Sequence, residues 1–181
     1  DRTGAVAPFP PTLVTMTWSR DAGVVRLKSG KDRAIRRRHP WIFSGAIDDV
    51  SGDPGKGGVV VVEDHRGDVV GRACFSPSSQ IRARVWTFDA AEQVDAPFFR
   101  RRAEAAFARR AAMFDAGHNA ARIVHAESDG LPGVIADRYD NVVVMQLLAA
   151  GADADGAAIV DALVGVTGAT ALVERSDAEV R

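Results

Sequence analysis

From Val24 to Phe88, apolar and polar residues alternate in short runs separated by turn residues, the pattern of strands with one buried face. "VVRLKS" alternates, "GGVVVVED" is β-branched, "DVVGRACFS" follows the turn around "HRGD", and "IRARVWTF" sets Ile81, Ala83 and Val85 against Arg82, Arg84 and Thr87. Short strands of this kind must wrap round a shared core, so they predict a small, closed or nearly closed β-barrel. Between the first two strands, "SGKDRAIRRRHPW" offers Ser29 as a helix cap, and Pro40 holds His39 out of the helical region, leaving room for at most about two helical turns.

The texture changes near Glu92. "DAPFFRRRAEAAFARRAAMFDAG" sets Phe99, Ala103, Ala106, Phe107 and Phe114 along one side, with Asp95 as cap, Pro97 in the first turn and Gly117 as terminator, which predicts one amphipathic helix. "ARIVHAE", "VIADRY" and "VVVMQLLA", joined by the tight "SDGLPG" and "DN" turns, predict a three-strand antiparallel meander. "DADGAAIVDALVGV" predicts a second helix with Ile159, Ala162, Leu163 and Val166 inward, and "TALVERSD" a further strand. The expected fold class is mixed: a small β-barrel at 24–93, then an α+β domain with an antiparallel sheet at 94–181, preceded by a loose tail at 1–23. Prolines interrupt the one apolar stretch of that tail, so a secretory signal is not expected, and Met16 is the expected natural start.

Composition narrows the function classes. A formal net charge of −1 leaves any grip on nucleic acid to local clustering of cations rather than to the total. No apolar run approaches the roughly 20 residues of a membrane span, so a soluble chain without a membrane partner is expected. Cys74 is the single cysteine, which excludes an internal disulfide or thiolate cluster and suits the cytoplasm. His39, His65, His118 and His125 lack metal-ligand spacing, so no metal site is expected. "GDPGKGG" at Gly52 to Gly58 lies between short strands and reads as a turn rather than a phosphate cradle.

Four separated segments, "GKDRAIRRRHPWIFSGAI", "SPSSQIRARVWTF", "ESDGLPGVIADRY" and "ERSDAEVR", occur in an order and spacing that resembles the ribosomal RNA large subunit methyltransferase I family, class I S-adenosylmethionine-dependent enzymes that make 5-methylcytosine. The resemblance covers Val24 to Arg181. It implies an N-terminal PUA domain, a central α+β domain and a C-terminal Rossmann-like methyltransferase domain, of which the first two are expected here. In this chain no predicted strand leads through a glycine-rich turn into a helix with a later ribose-binding acid. Family members attack cytosine C6 with a cysteine thiolate. Cys74, in the apolar setting of "GRACFSP", is not expected to be that nucleophile and reads as a small hydrophobe.

The expectation is therefore an RNA-binding and connecting region with no catalytic, cofactor-binding or metal-binding residues of its own. S-adenosylmethionine is expected for the full-length protein, with ribosomal RNA and a downstream methyltransferase domain as partners, and a homodimer is left open. "ERSDAEVR" stops just after a predicted strand and reads as a truncation. The alternative is a stand-alone interaction or dimerisation module without methyltransferase activity.

On this reading Trp41, Ile42 and Phe43 pack inward on the barrel while Lys28, Lys31, Arg33, Arg36, Arg37 and Arg38 gather outside, with Asp32 the only acid between Arg26 and Phe43. Guanidinium groups pair bidentately with phosphate and stack on exposed bases. Arg82 and Arg84 extend the patch, and Ser76, Ser78, Ser79 and Gln80 add neutral donors. The competing reading is an ordinary solvated charged face, for this run and for Arg100, Arg101, Arg102, Arg109 and Arg110 alike. His39 either stacks on a base or fixes the turn before Pro40, the turn being favoured. Glu127 and Asp129 have the look of an acid–base pair but read first as turn residues, with Gly130 supplying positive φ.

Overall fold

The structure, a computed structural model, describes residues 21–176. The expected tail at 1–23 lies outside the described residues except for Asp21, Ala22 and Gly23, which open the first strand instead. The last residues of "ERSDAEVR", from 177 onward, also lie outside them.

Six strands form the first sheet: β1 (Asp21–Leu27), β2 (Trp41–Phe43), β3 (Ile47–Gly52), β4 (Val59–Glu63), β5 (Val69–Phe75) and β6 (Ile81–Thr87), in the order β2-β6-β5-β4-β1-β3. β1 pairs parallel with β4, and the other neighbours are antiparallel. The edge strands β2 and β3 both feed one core, Ile42 from β2 and Ile47 and Val50 from β3 packing with Val25, Leu27, Val60, Val62, Ala73 and Val85. The sheet therefore curls into a half-barrel round that core.

One turn of helix, α1 (Arg33–Arg36), closes an end of this core through buried Ile35. It starts after Asp32, so Ser29 does not cap it, and the Asp32 carboxylate takes Arg36 rather than a backbone N–H. The helix ends in a Schellman turn built on Arg38, whose φ is +63. The Arg38 N–H donates to the Ile35 carbonyl and the His39 N–H to the Ala34 carbonyl, at 2.8 and 2.9 Å. This reversal aims Pro40 and β2 back across the barrel.

In the second half, α2 (Ala96–Ala108) is capped as its sequence predicts, the Phe98 N–H donating to Asp95 Oδ1 at 2.8 Å. The single helix expected through Phe114 instead breaks at Arg109–Arg110 and resumes as α3 (Ala111–Asp115). β7 (Ala120–His125), β8 (Val134–Tyr139) and β9 (Val142–Leu147) form the predicted antiparallel meander. A short helix that the sequence pattern did not disclose, α4 (Ala150–Ala154), precedes α5 (Gly156–Thr167), which buries Ile159, Ala162 and Leu163 as expected. Because α5 is a crossover, β10 (Ala171–Glu174) returns parallel to β9, and the order β10-β9-β8-β7 makes this a mixed sheet.

The two halves share a core. Cys74 on β5 and Trp86 on β6 point away from the barrel interior and join Phe98, Phe99, Ile123, Leu131, Met145 and Leu163. The Trp86 ring stands edge-on to Phe98 and Phe99, with centroids 6.2 and 5.3 Å away. At α4 the backbone itself is the packing surface: a Cβ on Gly151 would overlap Cys74 Cβ and Sγ. A Cβ on Gly57, where φ is +82, would lie 2.5 Å from the Ala150 carbonyl oxygen. Buried Arg72 ties the connecting segment to the barrel by donating to the Asp21 carboxylate and the Ala90 and Glu92 carbonyls.

Replacing Gly151 by Ala forces overpacking against Cys74 and should lower unfolding free energy by about 1–3 kcal/mol. Gly165→Ala, in α5 where an added Cβ meets nothing within 4 Å, should raise it by about 0.5–1 kcal/mol. Equilibrium denaturant unfolding reads both, and equal midpoints for the two variants would contradict this packing.

Candidate nucleic-acid interface

The cations of the α1 segment divide into two groups. Arg36 is taken up by the protein: its guanidinium donates to Asp32 at 2.6 Å and to Asp64 at 2.7 Å. Burial raises the Asp64 carboxyl, but the Arg66 and Asp68 amides and Arg36 outweigh it and hold Asp64 below the usual carboxylate range. Lys28, Lys31, Arg33, Arg37 and Arg38 are exposed and have no carboxylate partner among the described residues. Lys28 reaches only the Gly45 carbonyl, at 3.4 Å, and the Arg38 guanidinium lies 5.7 Å over the Phe88 ring.

The remaining candidates spread along β6 and the loop before it. Arg82 has no carboxylate partner among the described residues, whereas Arg84 has its Nε 4.0 Å from Glu127 Oε1. Ser76 is 5% exposed and its hydroxyl finds no protein partner, so that side chain is withdrawn from the surface. Ser78 and Gln80 are exposed, the Ser44 hydroxyl donating to Gln80 Oε1 at 3.2 Å.

The aromatic run corrects the inward packing expected for β2. Only Ile42 enters the core, while Trp41 and Phe43 are 38% and 49% exposed. Residues two apart share a strand face, so His39, Trp41 and Phe43 form one row, with edge-on ring contacts at 5.7 and 6.3 Å. His39 Nδ1 also accepts the Trp41 backbone N–H at 3.2 Å, which fixes the turn round Pro40. Across the ladder Trp41 pairs with Arg84, and its indole N–H donates to Glu127 Oε1 at 2.8 Å. A groove of about 350 Å³ opens between α1 and β2, lined by Lys31, Ala34, Trp41, Phe43 and Gly45 among others. Glu127 belongs to the second half, so both halves build this edge. The signal available in the sequence was Trp41 and Phe43 at period two within three residues, on a strand too short to be covered on both faces.

The α2 arginines behave differently. Arg100 pairs with Glu104, Arg101 and Arg102 with Glu92, and Arg109 and Arg110 with Asp129, at 2.6 to 3.0 Å. Arg101 and Arg102 tie α2 to the segment before it, and Arg109 and Arg110 tie its C-terminal end to the 126–129 turn, while Arg100–Glu104 is an exposed pair within the helix. Cys74 is fully buried and burial pushes its thiol up to about 11, the opposite of an activated nucleophile. The glycine-rich stretch at 52–58 lies on the seam, where Ala150 and Ala154 occupy the space at Gly57. Among the described residues no cluster of three or more metal-ligating side chains occurs, and no helix is long and apolar enough to cross a membrane.

The family described as PUA-like domain matches residues 25–88, which take in α1 and most of the curled sheet. Most of the chain, 86–87%, matches relatives named ribosomal RNA large subunit methyltransferase I. That of Pseudoalteromonas translucida is 46% identical over 158 residues, covering 87% of this chain and 40% of the relative. Those of Klebsiella pneumoniae and Escherichia coli are 46% and 45% identical, each covering 86% of this chain and 39% of the relative. The chain is thus a relative of the ribosomal RNA large subunit methyltransferase I family, and it spans about 40% of the length of these curated relatives. A solved Streptococcus mutans chain described as a candidate SAM-dependent methyltransferase shares the fold, with a TM-score of 0.71 at 16% identity over 84% of this chain and 40% of that one. A second solved chain, described as a candidate methyltransferase complexed with SAH, gives 0.72 at 16% identity over 87% and 41%.

Asp129 is the structural centre of the turn that resembles an acid–base pair. It accepts from Arg109, from both terminal nitrogens of Arg110 and from the His125 N–H, at 2.6 to 2.8 Å. Burial alone would raise its carboxyl, but these donors hold it below the usual range. A depressed folded value means the stabilisation is complete above the unfolded pKa of about 3.9 and is lost as pH falls through the lower folded one. Asp129→Asn should therefore cost about 2–4 kcal/mol at pH 7, with the gap to the parent constant above about pH 5 and shrinking below about pH 4. Urea unfolding across pH checks this, and a gap that widened on acidification would contradict it.

Proposed function

We propose that this chain is the RNA-binding and connecting region of a SAM-dependent ribosomal RNA cytosine-C5 methyltransferase, positioning RNA for a catalytic domain carried on further polypeptide. The observation that carries the reading is the sorting of charge. Lys28, Lys31, Arg33, Arg37, Arg38 and Arg82 have no carboxylate partner among the described residues, while the five α2-side arginines are all paired. Unneutralised guanidinium and ammonium groups, five of them on the Lys28–Arg38 segment, suit a polyanion, and phosphate contacts of this kind fix register without reading sequence. Support also comes from relatives that are named as ribosomal RNA methyltransferases and are about two and a half times as long as the matched region.

Titration with a large-subunit ribosomal RNA fragment should give a log-affinity against log-salt slope of about −3 if four phosphates are engaged. Replacing Lys31, Arg33 and Arg37 together by Gln should reduce that slope by about 2. Arg36→Gln should leave it unchanged, because Asp32 and Asp64 already occupy that guanidinium. A slope near zero for the parent chain would overturn the proposal.

A further inference from the structure

A surface meant only for phosphate has no use for aromatic rings or for a carboxylate, yet two aromatic rings line the α1–β2 groove and the Glu127 carboxylate sits beside it, at the Trp41 indole N–H. Trp41 and Phe43 line it beside Lys31, exposed by 38% and 49%. The indole is held on three sides, by His39 and Phe43 ring edges and by Glu127, which accepts its N–H at 2.8 Å. A ring fixed before binding loses little freedom when a flat ligand stacks on it. Glu127 uses Oε1 for this contact, and its Oε2 has no hydrogen-bond partner among the described residues. A carboxylate repels phosphate but accepts well from an amino group on a base edge. Paired RNA hides its base faces and keeps its edges in a deep, narrow groove, whereas an unpaired base offers both.

We propose that this groove holds an unpaired nucleobase stacked on Trp41 and bordered by the near-perpendicular Phe43 ring, and that Glu127 selects bases carrying an exocyclic amino group over uracil. The inference rests on the RNA-binding reading and adds the state and chemistry of the nucleotide. It also gives the second half a direct part in recognition, since Glu127 follows β7 while Trp41 and Phe43 lie on the barrel.

The test is fluorescence anisotropy of the full chain with labelled oligocytidine and oligouridine strands and a blunt RNA duplex of equal length. The parent should favour oligocytidine over oligouridine by about fivefold, one net hydrogen bond. Trp41→Leu should weaken single-strand binding about tenfold and leave duplex binding within a factor of about two, because it removes no cation. Glu127→Gln retains an oxygen for the indole N–H, so it should leave duplex binding no weaker while the cytosine-to-uracil ratio falls to about one. Equal losses on strand and duplex in Trp41→Leu, or an unchanged base ratio in Glu127→Gln, would overturn the nucleobase site and leave the cationic grip standing. A parent chain that binds neither RNA would overturn both.

Discussion

The contact between Gly151 of α4 and the outer face of β5 at Cys74 governs how the rest of the molecule is arranged. Backbone lies directly on a side chain there, with no room for a methyl group. Trp86, one strand over, carries the same interface into the Phe98–Phe99 pair at the start of α2. The barrel sheet is therefore apolar on both faces at its centre, one face closing its own core and the other completing that of the second half. A small curled sheet with so few strands has little core of its own, and sharing apolar surface with a neighbour raises the fraction it buries.

This fixed arrangement brings groups from distant parts of the chain to one edge. Glu127 reaches Trp41 across 86 residues of sequence, and Arg72 holds the segment between the halves through Asp21, Ala90 and Glu92. Charge is then partitioned by geometry. Carboxylates at Asp32, Asp64, Glu92 and Asp129 each meet arginines that the fold needs in place. Among the described residues, the cations without a carboxylate partner include Lys28, Lys31, Arg33, Arg37 and Arg38 on the α1 segment, with others, such as Lys56 and Arg138, elsewhere. A chain with net charge −1 can thereby present a locally cationic surface.

Local features were legible in the sequence. Asp95 as a cap, the alternation of β1 and of Ile81 to Val85 in β6, the inward residues of α5 and the meander through "SDGLPG" all follow from contacts within a few residues, and the structure has them, although Thr87, expected outward with Arg82 and Arg84, is buried on the side of Val85. What the sequence concealed depends on partners far along the chain. Arg36 looks as free as Arg37 until Asp64 is folded beside it, 28 residues on. Ser76 looks like a loop donor until the β5–β6 turn buries it. Trp41 looks like core because large aromatics usually are, and only the position of β2 at the sheet edge leaves it exposed. Gly57 reads as a turn glycine and Gly151 lies in a helix the pattern did not disclose, and the value of both lies in what they allow to approach. The apolar pairs Cys74–Phe75 and Val85–Trp86, with the Val59–Val62 run, were local hints that both faces of the sheet are covered.

Hydroxyl-radical footprinting of the chain with and without a large-subunit ribosomal RNA fragment addresses the central claim directly, that the α1–β2 edge is where the molecule meets RNA. The side chains of His39, Trp41 and Phe43 should lose reactivity on binding, while Met113 and Tyr139, exposed by 44% and 52% elsewhere on the second half, keep theirs. Protection of Met113 or Tyr139 with Trp41 and Phe43 unchanged would contradict the account.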